Sequence, residues 1–161
     1  MGAGKTTIGG HLAAHYSLPF IDCDAEISAE EKMSISEIFA TKGEAYFRDK
    51  ETQLLRTLKS KSPHIISTGG GMVLSKANQA YLTQMGYIIY LHANFDAIRS
   101  RLLIGKNNRP LFNQQDPSEL QSMYLKRLPL YRHLASIEFD TTATTIVSTL
   151  KTIYTHLKEN T

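Results

Sequence analysis

Apolar and polar positions alternate along this chain in two rhythms, helical and extended. Ile8, Leu12, Ala13 and Tyr16 fall on one helical face, and Ser17-Leu18-Pro19 stops that helix. His11 and His15 lie four apart on it, but no Cys or carboxylate joins them there, so they read as a solvated face. Phe20-Ile21 is a short buried strand running into Asp22-Cys23-Asp24. From Ala25 to Lys59 the pattern is helical. Ile35, Ile38 and Phe39 form one stripe, Lys42-Gly43 breaks it, and Phe47, Leu54, Leu55 and Leu58 form another. His64-Ile65-Ile66-Ser67 is a second strand, ending in Gly69-Gly70-Gly71. A helix with Ala77, Tyr81 and Met85 on one face ends at Gly86. Tyr87 to Leu91 is then the strongest strand pattern, and Phe95, Ile98 and Leu102 mark the next helix. Residues 105–110 are polar and rich in breakers, a loop that extends to Pro117 as a flap. Leu120, Met123, Tyr124 and Arg127 mark a helix before Pro129-Leu130-Tyr131. Ile137 to Asp140 is a last strand, and Ile146, Val147, Leu150, Ile153, Tyr154 and Leu157 form the most regular stripe. Strands alternating with helices imply a parallel sheet with helices on both faces.

Composition narrows the picture. The chain's 161 residues suffice for a single domain, 1–161, with no interdomain linker, repeat or low-complexity tract. Hydrophobic content of 42% and charged content of 20% are those of a soluble globular protein. A net charge of +3 suits a protein that handles phosphates, but it is too weak and dispersed for a nucleic-acid partner. One cysteine, Cys23, excludes an internal disulfide framework and fits a reducing cytoplasm. No apolar run approaches the ~20 residues that span a membrane.

The candidate chemistry begins at the first residues. Gly4-Lys5-Thr6 reads as the closing half of a phosphate-binding loop. Glycines let the backbone curl so that its N–H groups face phosphate oxygens. The lysine reaches the β- and γ-phosphates, the next hydroxyl binds Mg²⁺, and the helix that follows turns its positive end to the anion. The motif's first glycine would fall before Met1. Met1 to Thr6 also fits the N-myristoylation pattern, but nothing else in the chain suggests an anchor. Asp22 and Asp24, two apart in a strand, would face one side at the end of the sheet where ligands bind. Alone, Asp24 reads as a cap for a helix beginning near Ala25. Beside a phosphate loop, the pair reads as a Mg²⁺ partner and a general base. Arg48 and Glu51, three apart, can pair on their helix. Three consecutive glycines suggest a backbone that must approach a ligand.

Together these pieces resemble the shikimate kinase family. They are GAGKTT at 2–7, DCD at 22–24, Phe47-Arg48 with Glu51, GGG at 69–71, Arg109-Pro110-Leu111, and Arg127 before Pro129-Leu130-Tyr131. They stand in the family's order across nearly the whole chain. The implied fold is that of the nucleoside monophosphate kinases, a three-layer α/β/α P-loop kinase with a parallel sheet of order 2-3-1-4-5. Strand 1 is missing or truncated here. The substrate-binding segment spans about 24–53 and the lid about 104–118. The implied reaction is transfer of a phosphoryl group from ATP, with Mg²⁺, to the 3-hydroxyl of shikimate, on the way to aromatic amino acids.

The resemblance also assigns roles. Gly2, Ala3, Gly4, Lys5, Thr6 and Thr7 cradle the nucleotide. Thr6 and Asp22 serve the metal. Asp24 binds the substrate hydroxyls and acts as base. Arg48 and Arg127 clamp the carboxylate with planar guanidinium forks. Gly69, Gly70 and Gly71 offer backbone amides. Arg109 neutralises charge on the phosphoryl group, and Arg101 stacks on adenine. The rival readings are a gluconate kinase-like small-molecule kinase and a non-catalytic truncated paralogue. The expected protein is a cytoplasmic monomer with a small-molecule partner and no membrane. The flap between Arg101 and Arg109 is a residue or two longer than in many relatives, and Thr141-Thr142-Ala143-Thr144 lacks a proline often found there.

In that architecture the strand feeding the phosphate loop lies between the strands ending at Thr68 and Leu91, buried on both faces. Its absence leads to the expectation that Met1 is not the natural start, and that roughly ten further residues, an apolar run, precede it.

Overall fold

The structure is a computed structural model and describes residues 2–60, 63–104 and 116–160. Helix α1 (Lys5–Tyr16) leads to β1 (Phe20–Asp22), α2 (Cys23–Glu31) and α3 (Ile35–Leu58). Strand β2 (Ile65–Ser67) follows, then a 3₁₀ turn at Met72–Leu74, α4 (Lys76–Met85) and β3 (Ile89–His92). The chain continues through α5 (Phe95–Ile104), α6 (Pro117–Leu134), β4 (Ile137–Asp140) and α7 (Ile146–Asn160).

Neighbouring side chains on one strand point to different cores, and this separates the helical layers. Ile65 packs with Ile8, Leu12, Leu150 and Ile153 of α1 and α7. Ile66 packs on the other side with Leu55, Met72, Leu82 and Met85 of α3, the 3₁₀ turn and α4. Helices therefore cover both faces of parallel strands. Strand β1 pairs with β2 and β3 pairs with β4, both in parallel. Among the described residues the two pairs do not join, and each is a sheet of its own. Between β2 and β3 lies a cleft of about 290 Å³ whose lining includes Ala3, Ile8, Leu12, Ile65, Ile66, Ile89 and Leu91. This is the place of strand 1 in the order 2-3-1-4-5.

Local details correct parts of the sequence reading. Gly43 adopts φ 83° and kinks α3 without ending it, so one helix carries both apolar stripes. Pro129 likewise lies inside α6. Strand β3 starts at Ile89, not Tyr87. In α4 the buried residue is Asn78, while Ala77 is exposed. Tyr16 and Val147, both placed on apolar faces, are 40% and 77% exposed. Tyr16 instead meets Tyr154 edge-on, while His15 stacks on Tyr154. No described helix is long and apolar enough to cross a membrane.

Candidate active site

The phosphate-loop residues form the entry to α1. Gly2 and Gly4 take left-handed φ values of 63° and 88°, which glycine reaches without a Cβ penalty, and Gly4 is the N-cap. The helix therefore begins at Lys5, and Thr6 and Thr7 stand in its first turn rather than capping it. Ala3 is buried between the sheets and the core of α1 and α7. The α1 N-terminus presents backbone N–H groups and a partial positive charge.

Strand β1 delivers Asp22 to this end. Thr6 Oγ1 donates to Asp22 Oδ2 at 2.7 Å. A hydroxyl and a carboxylate side by side at an anion-binding turn are hard oxygen donors, a set that suits Mg²⁺, which usually takes one or two protein ligands plus phosphate oxygens and water. Asp22 also caps α2, its Oδ1 accepting from Ala25 N at 3.3 Å. The expectation that strand alternation aligns Asp22 and Asp24 is therefore corrected. The strand ends at Asp22, and Asp24 already belongs to the first turn of α2.

That turn still aims Asp24 at the glycines. A Cβ on Gly69 would fall 2.5 Å from Asp24 Oδ1 and 2.9 Å from Glu51 Oε1. A Cβ on Gly71 would fall 2.6 Å from Arg48 Cζ. Two of the three glycines are thus demanded by contact with a carboxylate pair and a guanidinium. Arg48 Nη1 donates to Glu51 Oε2 at 2.9 Å and Nη2 to Glu44 Oε1 at 2.7 Å, which holds its fork against the glycine turn. Glu51 is fully buried, and its Oε1 has no hydrogen-bond partner. Burial pushes the Glu51 carboxyl above the usual carboxylate range, while the nearby Arg48 works in the other direction.

Helix α6 closes the pocket. Tyr131 stands one turn after Arg127 on this helix, and its Oη donates to the Gly70 carbonyl. Arg127 and Arg48 both act electrostatically on Glu51 and Tyr131. Lys5, Gly69, Gly70 and Arg127 line the same cleft. The arrangement can hold a small carboxylate between two guanidinium groups and set a hydroxyl against Asp24, facing an anion site at α1.

Arg101 is engaged elsewhere. Its guanidinium donates to the Gly2 carbonyl at 3.2 Å and to Thr141, bracing the phosphate loop against the turn after β4. Arg109 and the flap from 105 to 115 lie outside the described residues. Among the described residues no group of three His, Cys, Asp or Glu side chains comes together to hold a metal. The Glu44–Arg48 spacing of four is a sequence signal for that pair. Asn78 and the bond from Tyr131 to Gly70 have none, because both depend on where the glycine turn lies.

Comparisons with known proteins identify the family and the fold. The family model described as shikimate kinase matches residues 1–158. A shikimate kinase of Aromatoleum aromaticum is 41% identical over 141 residues, 87% of this chain and 80% of that protein. One of Thiobacillus denitrificans is 39% identical over 155 residues, 96% of this chain and 84% of that protein. Among solved structures, the shikimate kinase of Acinetobacter baumannii in complex with shikimate superposes with a TM-score of 0.91 at 34% identity, covering 99% of this chain and 89% of that one. The shikimate kinase of Aquifex aeolicus gives 0.81 at 30% identity, covering 99% and 92%.

Proposed function

This chain belongs to the shikimate kinase family, and from that premise we propose that it phosphorylates the 3-hydroxyl of shikimate with ATP, giving shikimate 3-phosphate and ADP. The observation that carries the reading is the glycine turn, with Asp24 set against Gly69 and Arg48 against Gly71, at a cleft that Lys5 of α1 and Arg127 also line. Arg48 and Arg127 bind the shikimate carboxylate. This orients the ring and sets the 3-hydroxyl against Asp24, with glycine amides on the neighbouring hydroxyls. Asp24 takes the hydroxyl proton as the oxygen attacks the γ-phosphorus. The bond to the β-phosphate oxygen breaks, and ADP leaves. Lys5 and the amides of the Gly2–Thr7 turn bind the triphosphate and stabilise its charge as it shifts. When bound, Mg²⁺ neutralises charge on the β- and γ-phosphates, and Thr6 and Asp22 would hold it. Arg109, by the resemblance, adds a further cation from the lid.

The segment 24–53 is the substrate-binding part in this reading, and the protein acts as a cytoplasmic monomer. Neither a gluconate kinase-like enzyme nor a non-catalytic relative finds support among the matches described above. A coupled assay of ADP release with ATP and Mg²⁺ tests the proposal. ADP release should depend on shikimate and be absent with gluconate. No shikimate-dependent release would overturn it.

A further inference from the structure

Five successive carbonyls, from Gly69 to Val73, are each engaged in a hydrogen bond. The Gly69 carbonyl accepts from Met72 N at 3.3 Å and that of Gly71 from Leu74 N at 3.0 Å, the bonds that shape the turn itself. The other three are held by side chains from two different helices. Tyr131 of α6 donates to the Gly70 carbonyl, Asn78 Nδ2 of α4 to that of Met72 at 3.2 Å, and Gln79 Nε2 to that of Val73 at 2.7 Å. Asn78 is fully buried, and its Oδ1 accepts from Thr52 Oγ1 at 2.7 Å. Thr52 also bonds the Arg48 carbonyl at 3.0 Å, which ties the turn to the helix bearing Arg48 and Glu51. Tyr131 stands four residues after Arg127 and stacks on Tyr90 with ring centres 5.2 Å apart.

A run of three glycines is the least self-supporting backbone a protein can use. Glycine removes the Cβ that would strike Asp24 or Arg48, but it leaves nothing of its own to fix the peptide planes. Pinning a carbonyl fixes its peptide plane, and with it the direction of the next residue's N–H. We infer that Tyr131 is a positioning residue, which aims the Gly71 amide at the substrate hydroxyls by holding the Gly70 carbonyl, while Asn78 steadies the far end of the turn by holding the Met72 carbonyl. Tyr131 also stands one turn after Arg127 on α6, so the helix that carries the carboxylate clamp also holds the glycine turn. This rests on the function proposed above.

Tyr131→Phe removes one oxygen and keeps the ring stacked on Tyr90. A lost hydrogen bond of ordinary strength should raise the shikimate KM about five- to tenfold and leave the ATP KM within about twofold. Thr52→Val, which loosens Asn78 without touching it, should raise the shikimate KM in the same direction by about two- to threefold. In the ligand-free protein, amide hydrogen exchange across 69–74 should speed up in Tyr131→Phe, with a cooperative melt retained. An unchanged shikimate KM, an equal rise in both KM values, loss of the cooperative melt, or unchanged exchange would each overturn the inference. Should the parent protein turn over no shikimate, the proposed function fails on its own, and the exchange rates still decide whether Tyr131 holds the turn.

Discussion

Asp24 and Glu51 flank the same glycine, yet their surroundings divide their tasks. Glu51 is buried and tied to Arg48, whereas Asp24 is only partly buried at the head of α2. Asp24→Asn keeps the size but cannot take a proton. Turnover should fall ~10²-fold or more, as is typical for loss of a general base, with the ATP KM little changed. A steady-state assay at saturating ATP and shikimate measures it, and turnover within a few-fold of the parent would remove Asp24 from the base role. Arg127→Lys replaces a fork by a point charge and should weaken shikimate far more than ATP, which calorimetric titration of each ligand will read. A comparable loss for both ligands would point to a folding role. Gly71→Ala is the steric counterpart. Its methyl group would meet the Arg48 guanidinium, so shikimate binding should drop sharply, and measuring the melting temperature alongside separates that effect from unfolding.

The elements carrying these residues are held by polar networks as much as by apolar stripes. Helices α2 and α3 are laced by Glu31, which accepts from Lys42 at 2.5 Å and Tyr46 at 2.9 Å and pairs with Lys50 at 2.8 Å. Hydrogen bonds from Lys42 and then Lys50 hold the Glu31 carboxyl down at about 2, against an ordinary 4.5. A carboxyl whose folded pKa lies below its unfolded one stabilises the fold above the unfolded value and loses that effect as pH falls through the folded value. Melting temperatures should therefore fall as pH drops from about 4.5 toward 2. Glu31→Gln should flatten that fall, and an unchanged slope would count against the network.

Much of this level was legible in the residues. Gly43 announced the kink, the Arg48–Glu51 spacing announced an ion pair, and the four strand segments were read within two residues of their bounds. The burial of Asn78 was not legible, because an amide on an otherwise ordinary amphipathic helix gains its partners only from the distant glycine turn and Thr52. Nor was the end of β1 at Asp22, where a cap by its own side chain starts α2 one step earlier than strand alternation implies.

At the scale of the whole molecule the dominant feature is the unjoined sheet. Because β1 takes the hydrogen bonds of Ile65, alternation turns the backbone of Ile66 toward the cleft. Ile89 and Leu91 turn toward it from the other side, since Ile88 and His92 bond toward β4. Amides at Ile66, Ile89 and Leu91 should exchange faster than those at Ile65 and Tyr90, a pattern that residue-resolved hydrogen exchange will show or refute. Fusing an apolar, β-branched segment of about five residues ahead of Gly2 should slow those amides and raise the melting temperature. No change in either would show that the cleft does not accept a strand.

The same cleft makes volume a variable of state for this fold. Water enters such space when the chain opens, so the unfolded protein in its solvent occupies less room than the folded one. The contraction grows with the void that unfolding removes, and the cleft of about 290 Å³ adds to that void. Hydrostatic compression should therefore unfold this chain at unusually modest pressures, and closing the cleft should move that midpoint upward more than it moves the thermal one.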